Sequence, residues 1–185
     1  MTVEFRLLGE LDALIDGCPV DTGHARQRCL LAALLVEVNR VVPVDQLIDR
    51  VWAERPPHRA RNALSAYLSR LRQQLAAADV PITRVVDPQA VDLHRFRSLV
   101  RQARADTDPG RAANGYERAL ELWRGEPFAA IDTPWFAGVR ATLQAERLAS
   151  GEAIGYVQAT VEPTGRAFDQ DKVERGVRLL LDGIG

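Results

Sequence analysis

The chain has 185 residues, 24 Lys and Arg against 25 Asp and Glu, and a formal net charge of -1. That balance excludes a generally polycationic chain, so any grip on nucleic acid has to come from a local basic face. With 46% hydrophobic and 26% charged residues, the composition fits a globular chain rather than a disordered one. No run approaches the roughly 18 apolar residues of a membrane span, and Met1-Thr2-Val3-Glu4-Phe5-Arg6 lacks a signal-peptide core. The expectation is a cytoplasmic protein of one or two domains, without a membrane partner.

Residues 4–22 read as short strands. Glu4 to Leu8 partly alternates, Gly9 punctuates, Leu11 to Ile15 follows, and Asp16-Gly17 is a hairpin signal. A small antiparallel sheet is expected. Ala25 to Asn39 is apolar on nearly every side, which predicts a helix buried at the centre of a domain. Cys18, His24 and Cys29 lie close in sequence, but the spacing Cys-x5-His-x4-Cys fits no zinc signature and no fourth ligand is near. No metal and no cofactor are expected, and Cys29 reads as a small core hydrophobe.

Pro43 and Asp45 open a second helix with Leu47, Ile48, Val51 and Trp52 on one stripe, broken by Arg55-Pro56-Pro57. The third helix, His58 to Ala76, places Ala60, Ala63, Leu64, Tyr67, Leu68, Leu71 and Leu75 on a packing face. His58, Arg61, Asn62, Ser65, Ser69 and Arg72 project from the opposite side, with Arg59 and Arg70 beside them. No Asp or Glu occurs from Arg55 to Ala78, whereas a solvated surface helix usually mixes signs. Short polar side chains let a backbone approach a groove, and flanking arginines meet phosphates. The bland reading is an amphipathic helix whose arginines are solvated or paired with acids from elsewhere. A short helix and tight turn before it supply a helix-turn-helix arrangement. Lys172 is the one lysine in the chain, so the other basic residues are all arginine, whose planar fork suits phosphates and guanine edges.

Val80 to Val86 reads as a strand ended by Asp87-Pro88, which completes a winged-helix order. Residues 91–150 then read as helices over Val91–Ala105, Pro109–Trp123 and Pro134–Ser150. Asp108-Pro109 and Asp132-Thr133-Pro134 are start signals. Short helices joined by short turns suggest helical-hairpin packing.

The chain resembles the Streptomyces antibiotic regulatory protein family. The resemblance is carried by Phe5-Arg6-Leu7-Leu8-Gly9, by Arg26 to Leu35, by Val44-Asp45-Gln46-Leu47-Ile48, by Ala60-Arg61-Asn62-Ala63-Leu64 and by Tyr67 to Arg72. In the second half it is carried by Val91 to Phe96, Ala119 to Gly125 and Leu143 to Leu148. It implies a mainly α fold with small β-sheets, in which a winged helix-turn-helix domain (1–89) precedes an α-helical, tetratricopeptide-like activator domain. That second domain is read as truncated (90–160), with a divergent tail helix at 161–185.

The implied function is a DNA-binding activator of an antibiotic biosynthesis cluster. Its implied partners are double-stranded promoter DNA with direct repeats, RNA polymerase holoenzyme, and a second protomer side by side. By position, the helix from His58 to Ala76 is then the major-groove reader. The candidate DNA-binding residues are His58, Arg59, Arg61, Asn62, Ser65, Ser69, Arg70 and Arg72, with Arg84 on the following strand. The 53–57 turn and the helical domain become candidate polymerase surfaces.

Two departures stand out. The family's wing hairpin carries a Gly-Tyr pair between its strands, whereas Arg84-Val85-Val86-Asp87-Pro88 runs almost directly into Val91-Asp92-Leu93. Phe168 to Gly185 resembles the N-terminal helix of GTP cyclohydrolase I without that enzyme's zinc ligands. It also reads as an amphipathic helix with Val173, Val177, Leu180, Leu181 and Ile184 inward. No Gly-rich phosphate loop or Ser-His-Asp order is present, so catalysis is not expected. The competing class is a helical protein-interaction module without specific DNA binding.

Overall fold

The computed structural model describes residues 2–77 and 86–161. Its elements are β1 (Val3–Arg6), β2 (Asp12–Ile15), β3 (Cys18–Pro19), α1 (Ala25–Val36), α2 (Val44–Trp52), α3 (Ala60–Ala77), α4 (Asp92–Ala105), α5 (Pro109–Leu120) and α6 (Pro134–Val161). A 3₁₀ turn covers Pro88–Ala90. The described residues are thus mainly helical, with one antiparallel sheet in the order β1-β2-β3. They fall into two compact units. One holds the residues up to Arg95 together with Trp123–Ala141, and the other holds Phe96–Leu122 and the residues from Thr142 onward.

In the first unit, Asp16 and Gly17 both take positive φ (46° and 81°) and join β2 to β3 with Ile15 facing Cys18. That is the backbone a two-residue hairpin requires. The expected alternation stops at Arg6. Leu7 and Leu8 are both fully buried, because the chain leaves the sheet there and their N–H groups donate to the Asp92 carboxylate at 2.7 and 3.0 Å.

Helix α1 starts where the His24 ring accepts the Arg26 N–H at 3.3 Å. It buries Cys29, Leu30, Leu31, Ala32, Ala33 and Leu35 and packs on α2 and α3. It ends at Val36 rather than Asn39. Asn39 takes φ +62° and uses its side-chain amide to hold both the N–H and the carbonyl of Val86, at 3.0 and 2.9 Å. Burial pushes the Cys29 thiol up to about 11, while Cys18 is exposed on β3. A thiol-directed alkylating reagent at mildly alkaline pH should therefore modify Cys18 alone in the folded chain, and both cysteines in denaturant. Peptide mass spectrometry checks this, and rapid labelling of Cys29 under native conditions would contradict it.

The expected helix from Pro109 to Trp123 is shorter, ending at Leu120. The chain from Trp123 belongs instead to the first unit. The N–H groups of Arg124, Phe128 and Ala129 donate to the carbonyls of Leu8, Leu7 and Gly9 at 2.8, 3.1 and 3.2 Å. The Arg124 guanidinium donates to Asp12 at 2.9 Å and to the Glu10 carbonyl at 3.3 Å. Phe128 and Phe136 are fully buried, ring against ring at 4.9 Å.

In the second unit, Asp108 caps α5 by accepting the Arg111 N–H at 2.8 Å, with Pro109 in the first turn. Gly115 lets α5 approach closely, since a Cβ there would lie 2.8 Å from that of Ala103 on α4. Arg97 on α4 makes a two-pronged ion pair with Glu146 on α6, at 3.0 and 2.8 Å, and Leu143 is fully buried.

Helix α6 continues beyond the expected end at Ser150, to Val161. The Ser150 hydroxyl donates to the carbonyl of Glu146 one turn back, at 2.8 Å, so this residue signals no break. Most of the expected strand at 80–86, Arg84 and the tail readings beyond residue 161 lie outside the described residues. Among the described residues, no helix is long and apolar enough to cross a membrane.

Candidate nucleic-acid interface

Helix α3 is held from one side. Leu64 and Leu71 are 1% and 4% exposed, and Ala60, Ala63, Tyr67, Leu68 and Leu75 are half-buried along the same stripe. The Tyr67 ring stacks on Trp52 of α2 at 5.8 Å and meets the His24 ring edge-on at 4.9 Å. These aromatic contacts fix the roll of α3 about its own axis. Leu47, Val51 and Trp52 in turn anchor α2 in the core.

Helix α3 starts at Ala60 rather than at the expected His58, so His58 and Arg59 lie in the turn before it. From Arg61 onward the outer stripe follows from the 100° step between residues. His58, Arg59, Arg61, Asn62, Ser65, Ser69, Arg70 and Arg72 are all exposed. Arg59, Arg70 and Arg72 form no ion pair among the described residues. Among the described residues no carboxylate neutralises these three guanidiniums, which surround Asn62, Ser65 and Ser69, short hydrogen-bonding groups able to approach a groove floor. Phosphate oxygens and guanine edges are the natural partners of such arginines.

The face is not wholly free of acid. Asp45, in the first turn of α2, accepts a hydrogen bond from Arg61 Nη2 at 2.7 Å, and both side chains are exposed. Reading α3 alone could not reveal this contact, because the acid lies on another helix. The signal available was the helix-turn-helix itself, which brings the start of α2 near the start of α3. Sequence reading gave Asp45 only the role of an acid favoured at a helix start.

The Cys18, His24 and Cys29 group serves other ends, with His24 capping α1 and Cys29 sealed in the core. Among the described residues, no three His, Cys, Asp or Glu side chains are arranged to hold a metal ion.

Comparison with known proteins matches the same two halves. Residues 22–88 match the family described as "Transcriptional regulatory protein, C terminal", and residues 91–171 match the "Bacterial transcriptional activator domain". The regulatory protein AfsR of Streptomyces coelicolor is 36% identical over 155 residues, covering 79% of this chain and 16% of that protein. The transcriptional regulator RedD of the same organism is 34% identical over 145 residues, covering 66% of this chain and 39% of RedD. A solved structure of Mycobacterium tuberculosis EmbR, in complex with a low affinity phosphopeptide, superposes with a TM-score of 0.78 at 25% identity. That match covers 98% of this chain and 49% of the EmbR chain.

A winged helix followed by a bacterial transcriptional activator domain defines the class, that of transcriptional regulators carrying these two domains. Within it, the chain is similar to AfsR and RedD, regulators of the Streptomyces antibiotic regulatory protein family. It spans less than half the length of these curated relatives.

Proposed function

We propose that this chain is a sequence-specific DNA-binding transcriptional activator of a secondary-metabolite biosynthesis cluster, with α3 seated in the major groove. The observation that carries the proposal is the outer face of α3: exposed, held rigidly from behind, and bearing Arg70 and Arg72 with Arg59 just before it, none of which has an ion pair among the described residues. Asn62, Ser65 and Arg72 face base edges, and Arg59 and Arg70 meet phosphates. Residues 1–89 form the DNA-binding domain, residues 90–160 the helical activator domain and 161–185 a separate tail. Arg84 is a further DNA contact in this reading. RNA polymerase is the partner of the turn at 53–57 and of the helical domain, and catalysis is no part of the role.

Arg72→Ala and Asn62→Ala should each weaken binding to the preferred duplex by about 1–3 kcal/mol, relaxing selectivity at one base pair. Both should leave the melting temperature nearly unchanged, because exposed substitutions rarely move stability by more than about 0.5 kcal/mol. Mobility-shift titrations of the folded variants check this, and unchanged affinity would remove α3 as the reader.

A footprint on the gene's own upstream region, taken at two salt concentrations, tests the whole reading. Two protections on one face of the duplex should appear, about 10–11 bp apart centre to centre or a multiple of that. Their affinity should fall steeply as salt rises. A single protected site would remove the side-by-side pair of protomers. Absence of salt-sensitive duplex binding would favour a helical interaction module instead.

A further inference from the structure

We propose that Asp45 is a positioning residue for Arg61, holding its guanidinium for a base edge and away from phosphates. The inference rests on α3 being the DNA-facing helix. Four exposed arginines lie on or beside that face, and among the described residues Arg61 alone has a carboxylate against it, at 2.7 Å. The contact uses one nitrogen, Nη2. Nε and Nη1 make no hydrogen bond among the described residues, so much of the fork that recognises guanine bidentately stays available.

The carboxylate comes from a rigid place. Asp45 sits in the first turn of α2, whose Leu47 and Val51 are 4% and 0% exposed. The pair itself is open to solvent, with side-chain exposures of 67% for Arg61 and 75% for Asp45, so it does little for the fold. Its effect is on where a long, flexible side chain points. A carboxylate beside a guanidinium also repels the anionic backbone of a duplex. Arg59 and Arg70, without such a neighbour, stay suited to phosphates, while Arg61 is biased toward the groove floor, as Arg72 is by its place on the outer stripe.

The size of the effect follows from the exposure of the pair. An exposed ion pair shifts an equilibrium by about 1.4- to 5-fold, so Asp45→Asn should reduce discrimination at one base pair by about two- to fivefold. The test begins with selection of a preferred duplex from a randomised pool, using the full chain. Wild type, Asp45→Asn, Arg61→Ala and the double variant are then titrated against that duplex and its single-base variants. Asp49→Asn, which removes an exposed acid elsewhere on α2, controls for net charge.

Asp45→Asn should bind non-preferred duplexes as well as wild type or better, and lose preference at the same base pair as Arg61→Ala. It should have no further effect on preference once Arg61 is gone. Unchanged selectivity in Asp45→Asn overturns the proposal. So does a uniform loss of affinity across sequences with a lowered melting temperature, the signature of a merely structural acid. So does a matching selectivity change in Asp49→Asn. If Arg61→Ala keeps every base preference while Arg72→Ala loses one, the Asp45 role falls and α3 stands as reader. If wild type shows no salt-sensitive duplex binding, the DNA reading itself has failed.

Discussion

Replacing Asp92 with alanine should destabilise the fold by about 3–5 kcal/mol, enough to unfold much of a marginally stable domain. Asp92 is 2% exposed, and its two carboxylate oxygens accept the N–H groups of Leu7 and Leu8 at 2.7 and 3.0 Å, and that of Leu93 at 2.7 Å. Arg124 Nη2 stands 3.7 Å away. Alanine leaves those buried donors without an acceptor, each costing about 1–3 kcal/mol. Asparagine is no substitute, since its amide turns a donor toward N–H groups that need acceptors.

The effect depends on pH. Burial pushes the Asp92 carboxyl above its ordinary value of 3.8, against the pull of the Leu8 and Leu7 N–H groups and of Arg124. A folded chain that holds a proton more tightly than the unfolded one gains stability from it at low pH. The gain is complete below the unfolded value and fades as pH rises through the folded one. Denaturant titrations across acid pH should show a falling component in wild type that is absent from Asp92→Asn. An Asp92→Ala variant as stable as wild type would refute this account of the buried carboxylate.

Leu64→Ala is the second large expected effect, a loss of about 2–5 kcal/mol from a cavity behind α3. Leu64 is 1% exposed on the inner stripe, one helical turn from Tyr67, whose ring stacks on Trp52. Stability and duplex binding should fall together in this variant. In Arg72→Ala only binding should fall. Denaturation and mobility-shift titrations on the same preparations separate the two. A Leu64→Ala variant of undiminished stability would mean that α3 is anchored elsewhere.

Much of the fold was legible locally. Asp16-Gly17 marks a hairpin because its two residues take positive φ at little cost. The apolar run in α1 marks a core helix, and the period of Leu64, Leu68, Leu71 and Leu75 marks the buried stripe of α3. Because side chains leave a helix at fixed angles, the exposed row from Arg61 to Arg72 followed from that stripe, whereas His58 and Arg59 precede the helix. What failed were helix ends. Asn39 leaves α1 to bind Val86, Trp123 leaves α5 to be buried in the first unit, and Ser150 continues α6. Each end depends on a partner that neighbouring residues do not reveal.

Covalent order and side-chain periodicity, then, set which elements form, which stripe of each is apolar, and that α3 itself bears no carboxylate. Three pairings across long stretches of chain came only with folding. The carboxylate of Asp92 reaches the Leu7 and Leu8 amides, Arg124 lies against Asp12, and Asp45 touches Arg61. The physical reason is range. Turn chemistry and helical period act over a few residues, whereas buried donors and charges are satisfied by whichever group packing brings within hydrogen-bonding distance.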